Sequence, residues 1–215
     1  AGFYYKMFLY PRAFWKHVYE PFIRQSAGLG RAPDAETSDA DTYEHFHATV
    51  DVLVVGGGVA GLQAALSAGR AGARVMVMEQ TAHWGGRAPV DGGTIDGMAP
   101  GAWVAKVVAE LAAMENVKMR LRCMGAGVYD HGYVLAYERV ADHAPGAKGP
   151  RHRLWRIRAR RIVSAGGAIE RPLVFEGNDT PGVMLASAAK VFALRYGVAV
   201  GQSVALMASH DSGWN

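Results

Sequence analysis

Three glycines in the first third of the chain have the spacing of a turn that binds a dinucleotide pyrophosphate. An apolar run over residues 50–55 leads into this turn, whose residues are Gly56, Gly57, Gly58, Val59, Ala60 and Gly61. Gly56 supplies a tight turn, Gly58 lets the main chain approach the phosphates, and Gly61 lets the following helix pack on the strand. The phosphates then face the positive end of that helix. We therefore predict a dinucleotide site at residues 56–61.

A carboxylate follows the next predicted strand, where it selects the nucleotide. The strand over residues 73–78 ends at Glu79, with Gln80 beside it, about 20 residues after the glycine turn. An acid in this place accepts hydrogen bonds from the adenosine ribose hydroxyls and repels a 2′-phosphate, so NADP is not expected. NAD and FAD share the ADP half, so these residues leave both cofactors open.

The surrounding pattern predicts a Rossmann-like α/β domain with a parallel sheet and a small antiparallel β-meander. Apolar positions at helical spacing predict a second helix over 102–114, and a strand follows over 117–122. Segments at 125–129, 133–140 and 153–160 have strand-like composition and form the meander. Residues 161–167 predict a returning parallel strand that ends in a glycine turn. A helix over 185–196 and a strand over 203–208 follow.

An aromatic-rich N-terminal arm precedes this domain. Residues 1–22 hold nine of the 21 aromatic residues, and so much apolar surface favours docking on the body or on a partner subunit. Pro21 predicts two short helices that meet there. A polar linker over 28–47 follows. We expect the arm and linker over 1–49, the dinucleotide-binding domain over 50–200, and the start of a second, truncated α/β unit over 201–215.

Composition excludes several classes of function. Cys123 is the single cysteine, so a disulfide within the chain, a four-cysteine iron–sulfur centre and a thiol redox pair are excluded, and a reducing cytoplasm is expected. No apolar run is long enough to cross a membrane. The net charge is only +4, and the basic residues over 151–161 alternate with apolar ones, as in a strand with one solvated face. Nucleic-acid binding is therefore not expected.

Two further observations concern metal binding and the extent of the chain. His45 and His47 alternate in an extended segment, but the sequence shows no third ligand, so no metal site is predicted. The chain begins Ala1-Gly2 without an initiator methionine, which suggests a fragment of a longer protein.

The order of elements resembles the first nucleotide domain of the two-dinucleotide-binding flavoprotein superfamily. In that superfamily a second glycine pair, here Gly85-Gly86, approaches the pyrophosphate from the far side. Arg87 then either reaches a phosphate or faces solvent. The main chain near Ala126 is implied to meet the adenine.

The end of the returning strand departs from the superfamily pattern. Residues 164–166 are Ser-Ala-Gly, whereas the superfamily usually has Ala-Thr-Gly. Gly166 keeps the main-chain turn, but the contact of a threonine hydroxyl is lost.

Longer stretches resemble the alpha subunit of heterotetrameric sarcosine oxidase. The sharpest are RIVSAGGAIERPLVF at 161–175 and NDTPGVMLA at 178–186, and others lie at 4–8, 19–24, 27–30, 129–131 and 153–157. The resemblance implies NAD at the glycine turn of this subunit. It also implies a beta subunit with FAD, where sarcosine is oxidised to glycine, and FMN at the alpha–beta junction. Gamma and delta subunits and a later folate-binding domain belong to the implied complex.

The resemblance assigns no catalytic residue to this chain, which is therefore expected to be inactive by itself. Two other functions remain open. One is an FAD-binding domain of a related amine, opine or proline oxidoreductase subunit. The other is a nucleotide-bound scaffold without catalytic activity.

Overall fold

The computed structural model describes residues 10–30, 41–144 and 146–209. The chain divides into two compact units, Ala1–Ala40 and Asp41–Asn215. Within the described part of the chain, no helix has the length and apolar character needed to span a bilayer.

The first unit is helical over its described residues. Helix α1 (Arg12–Phe14) continues through a π-helical turn (Trp15–Tyr19) into helix α2 (Glu20–Ser26). Pro21 lies directly after the π-helical turn, in the first turn of α2, and has no N–H to donate to the carbonyl groups of that preceding turn. The arm residues Phe3, Tyr4, Tyr5 and Phe8, like linker residues 31–40, lie outside the described residues.

Over its described residues, the second unit is built on one sheet of six strands. The strands are β1 (Tyr43–Val55), β2 (Val75–Met78), β3 (Val117–Arg120), β4 (Cys123–Tyr129), β5 (Tyr133–Arg139) and β6 (His152–Ser164). Their order in the sheet is β3-β2-β1-β6-β5-β4. The pairs β3–β2, β2–β1 and β1–β6 are parallel, whereas β6–β5 and β5–β4 are antiparallel. The predicted combination of a parallel sheet and an antiparallel meander is confirmed.

Strand β6 corrects two of the sequence-based boundaries. The segments predicted at 153–160 and 161–167 form one continuous strand, which pairs antiparallel with β5 and parallel with β1. The first half of β6 also needs a partner for its second edge, and residues 43–50 of β1 supply it. Residues 43–47, predicted as the end of the linker, therefore belong to β1.

Helices cover one face of the sheet. Helix α3 (Val59–Arg70) and helix α5 (Pro100–Ala112) bury Leu62, Leu66 and Leu111 against Val54 and Val75. Burial of each such side chain contributes about 1.5–3 kcal/mol. Two other helices, α4 (Ala88–Asp91) and α6 (Ala186–Tyr196), lie outside this layer, and α6 contains no buried residue.

The meander supplies the second core cluster. Val134 and Ile157 are fully buried together with Leu53, Met76 and Met78. The sheet is therefore apolar on both faces near the carboxyl ends of β1 and β2, and this holds the glycine turn on a rigid base.

The segment after β6 departs from the prediction at its end. The helix predicted over 185–196 is confirmed as α6. The strand predicted over 203–208 is wrong for the described residues, where no strand neighbours this stretch. An extended segment cannot complete a hydrogen-bond ladder without such a neighbour. Residues 210–215 of the expected second unit lie outside the described part.

Candidate functional site

The glycine turn joins β1 to α3 and is fixed by main-chain contacts. Gly56 has a φ of +110° and donates its N–H to the carbonyl oxygen of Met78 at 2.8 Å. A Cβ at Gly56 would overlap the carbonyl oxygen of Ala165, and one at Gly61 would overlap the carbonyl oxygen of Gly56. Both positions therefore require glycine for the fold itself.

Gly58 differs from its two neighbours in the motif. It has an ordinary φ of −72°, and no heavy atom lies within 4 Å of the place where its Cβ would be. Gly58 also caps α3, whose first N–H groups, from Val59 onward, have no acceptor inside the helix. Open space thus lies next to the positive end of a 12-residue helix. Open space beside free N–H groups at the start of a helix is what a bound pyrophosphate requires.

The second glycine pair forms a wall beside the turn. Gly85 donates its N–H to the carbonyl oxygen of Gly57 at 2.8 Å and forms a parallel bridge with Gly58. A Cβ on Gly86 would lie 3.2 Å from the Cα of Gly58. The structure therefore brings the Gly85-Gly86 pair against the first glycine turn, and the approach of this pair to a pyrophosphate stays a prediction.

Glu79 is buried and bonded to the main chain on both sides. It is 7% exposed, and its Oε2 accepts the Gly57 N–H at 2.8 Å. Its Oε1 accepts the N–H of Thr81, also at 2.8 Å. An ionised carboxylate has about four acceptor sites, so acceptor capacity remains for ribose hydroxyls. Sequence reasoning missed the structural role of Glu79, which holds the glycine turn through the N–H of Gly57.

The other predicted residues occupy different surroundings. Val59 and Ala60 lie in the first turn of α3, and Ala126 lies at a bulge of β4 between Gly125 and Gly127. Gln80 is exposed, and its carbonyl oxygen accepts a hydrogen bond from Arg139 at 3.1 Å.

Arg87 forms an ion pair on the surface, and its contact with a phosphate stays a prediction. Its side chain is 51% exposed and donates to Asp91 Oδ1 at 3.2 Å. Gly166 follows β6, next to Ala165, whose N–H donates to the carbonyl oxygen of Val55 at 2.8 Å. No atom lies within 4 Å of a Cβ position on Gly166.

Three site residues carry no motif signal in the sequence. The ring of Trp84 packs against Gly57, where a Cβ would overlap it. Thr81 holds the carboxylate of Glu79, and its Oγ1 donates to the carbonyl oxygen of His83 at 3.0 Å. His83 contacts Arg195 of α6. The spacing from Glu79 to the second glycine pair is the signal that could have drawn attention to this loop.

The cysteine does not contribute to the site. Cys123 is buried beside Met78, and burial, followed by the charge of Glu138, raises the pKa of its thiol to about 12. A thiol with that pKa is protonated near neutral pH and is a poor nucleophile.

Comparisons with known proteins agree with this geometry. Residues 51–138 match a family model described as FAD dependent oxidoreductase. The sarcosine oxidase subunit alpha of Rhizobium meliloti (strain 1021) is 46% identical over 216 residues, which cover 100% of this chain and 22% of the relative. The same subunit of Corynebacterium sp. (strain P-1) is 43% identical over 83% of this chain and 19% of the relative. The chain is homologous to sarcosine oxidase alpha subunits.

The sarcosine oxidase relatives are much longer than this chain, which spans about a fifth of their length. A solved structure, the L-proline dehydrogenase from P. horikoshii, is also similar. It superimposes with a TM-score of 0.59 at 29% identity, over 78% of this chain and 32% of that one. The predicted homology with sarcosine oxidase alpha subunits and the Rossmann-type oxidoreductase fold are thus confirmed. The individual nucleotide-binding residues stay predictions.

Proposed function

We propose that the chain binds the ADP half of an adenine dinucleotide that lacks a 2′-phosphate. The observation that carries the proposal is the open space at Gly58 beside the buried carboxylate of Glu79. The helix end and the main-chain N–H groups suit a pyrophosphate. The free acceptor sites of Glu79 suit ribose hydroxyls and repel a phosphate in their place.

NAD is the dinucleotide that we propose, because the longer stretches resemble an alpha subunit that carries NAD. FAD is the second candidate, and the family model matched by residues 51–138 supports it. Both fit the residues of the site, since the contacts proposed here reach only their shared ADP half. When bound, either cofactor supplies hydride chemistry.

We further propose that the whole protein is part of an oxidoreductase complex that oxidises sarcosine. The homology with sarcosine oxidase alpha subunits supports this proposal. Beta, gamma and delta subunits, FAD and FMN associated with the beta subunit, a folate site elsewhere in alpha and a cytoplasmic location are parts of the same proposal. Within this scheme the chain binds and orients a nucleotide and contributes no catalytic residue.

Nucleotide released from this chain, purified without partner subunits, tests the choice of cofactor. The protein is denatured, and the supernatant is separated by chromatography with absorbance and fluorescence detection. We expect stoichiometric NAD and no yellow colour. Release of stoichiometric FAD would show that the chain binds the second candidate and not NAD. Release of NADP would contradict the role proposed for Glu79.

Gly58→Val tests the site itself. Its φ of −72° is accessible to valine, and the Cβ position is open. We therefore expect a loss of no more than about 1 kcal/mol in free energy of unfolding, since valine caps a helix less well than glycine, together with at least tenfold weaker nucleotide binding in calorimetry. Gly101→Val is the matched control, because Gly101 is also open at its Cβ position but lies in α5. Equal affinities of the two variants would contradict the site assignment.

A further inference from the structure

A side-chain contact joins α6 to the loop that builds the nucleotide site. Nη1 of Arg195 lies 2.6 Å from Nε2 of His83, and the pair is partly buried. A guanidinium is always protonated and can only donate. Nε2 of His83 must therefore be the acceptor, so the contact requires a neutral imidazole with its proton on Nδ1.

His83 sits in the middle of the segment from Glu79 to Gly86. At one end of this segment, the Thr81 N–H fixes the carboxylate of Glu79. At the other end, the Gly85 N–H fixes the carbonyl oxygen of Gly57. Thr81 is also bonded to the carbonyl oxygen of His83 itself. Because His83 lies between these two contacts, its displacement would disturb both ends of the segment from Glu79 to Gly86.

We propose that Arg195 is a positioning residue for the nucleotide site, acting through His83. This inference rests on the proposed dinucleotide binding and adds to it a residue that no nucleotide contact requires. Arg195 belongs to α6, which has no buried residue and lies outside the layer of helices packed on the sheet. Its guanidinium holds the loop residue His83 in the orientation that the loop contacts with Glu79 and Gly57 require.

The charges around His83 make the contact sensitive to pH. Burial lowers the pKa of the imidazole first, and the cations Arg195 and Arg122 lower it further, while Glu79 opposes them. Protonation removes the acceptor and places two cations side by side. Because the pKa is lowered in the folded state, the contribution of the contact is complete above the ordinary value of about 6.5. It is lost as the pH falls below that value through the folded-state pKa.

Calorimetric titration with NAD and with FAD between pH 5 and 8 tests the proposal. We expect the wild-type affinity to fall in the acidic part of this range. Arg195→Gln should weaken binding about two- to tenfold at pH 7.5, and it should flatten the acidic decline, since the contact that His83 protonation breaks is already gone. His83→Gln keeps a carbonyl acceptor for Arg195, so it should bind normally at pH 7.5 and lose the decline.

Lys190→Gln is the matched control, because it removes one positive charge from the same helix. It should leave both the affinity and the pH profile unchanged. Wild-type affinity and pH profile in Arg195→Gln would overturn the proposal.

Amide hydrogen exchange without nucleotide separates failure of this proposal from failure of the proposed function. Arg195→Gln should speed exchange in residues 81–86 relative to wild type and Lys190→Gln. Faster exchange in a protein that binds neither nucleotide would support the positioning contact and contradict the dinucleotide site. Unchanged exchange would overturn the contact whatever the protein binds.

Discussion

The glycine-turn region and the segment after β6 are stabilised in opposite ways. At Gly56 and Gly61 the main chain is packed against main chain, and a side chain at either position would overlap a carbonyl oxygen. Over the described residues 168–209 the chain has turns and one helix, and large apolar side chains such as Val174 are up to 95% exposed. The first region tolerates almost no change of shape, whereas the second depends on a few side-chain contacts.

An apolar cleft accompanies this exposure. It has a volume of about 750 Å³ and is lined by residues from 170–207, among them Leu173, Val204 and Lys190. The Glu170 carboxylate accepts the N–H of Ser187 at 3.0 Å, which ties the cleft wall to the start of α6. The comparison therefore predicts that substitutions at the enclosed positions of the first region, Gly56 and Gly61, lose free energy of unfolding steeply, whereas substitutions in the second region hardly change it.

Gly56→Val should produce the largest effect. The side chain would need a positive φ and would overlap the carbonyl oxygen of Ala165. We expect a loss of at least about 3 kcal/mol in urea unfolding. Gly166→Ala is the control, because its Cβ position is open. A loss below about 1 kcal/mol for Gly56→Val would contradict the stated difference between the two regions.

Glu79→Gln should come second. The variant keeps the shape of the side chain, but its amide nitrogen must face one of the two N–H donors that the carboxylate accepts, Gly57 or Thr81. We expect about 1–3 kcal/mol lower stability, measured by urea unfolding. The exposed Glu115→Gln provides the matched control and should change stability by less than about 0.5 kcal/mol. Identical stabilities of the two variants would show that the buried carboxylate is dispensable for the turn.

Glu170→Ala should act only locally. It removes the acceptor for the Ser187 N–H at the start of α6. We expect about two- to fivefold faster amide exchange in the first turn of α6, with no change at the glycine turn. Faster exchange at residues 56–61 as well would mean that the two regions are more strongly coupled than the comparison states.

Val174→Ser should have the smallest effect. The side chain is 95% exposed, so little apolar area is buried in wild type. We expect less than about 0.5 kcal/mol of change in urea unfolding. A loss above about 1 kcal/mol would show that this segment is packed in solution.

The sequence predicts the first region far better than the second. Gly56 and Gly61 each meet a local steric requirement, and Gly58 leaves the start of α3 open, so their spacing predicted the strand, the turn and the helix. The strand expected over 203–208 depended on a neighbouring strand, which no local pattern reveals. The same limit explains why β6 was divided in two, since its composition does not show that it has a different partner on each edge.

Within the site, the residues with a chemical signature were predictable and their supports were not. Glu79 followed from its position after β2. The contacts of Trp84 with Gly57 and of His83 with Arg195 join residues whose types occur equally in ordinary loops. The last of these spans more than a hundred residues of sequence, and such pairs are set by tertiary structure.

The pairing of β1 with β6 has a consequence for the order of folding. Tyr43 pairs with His152, so the first half of β1 has no partner on this edge until roughly a hundred further residues have been synthesised. At about 5–20 residues per second of synthesis, that delay is roughly 5–20 s. Until β6 arrives, β1 has an open edge beside its apolar residues, which is a template for pairing with other chains. Cotranslational protection of this edge, rather than the final stability of the fold, should therefore set the yield of native protein.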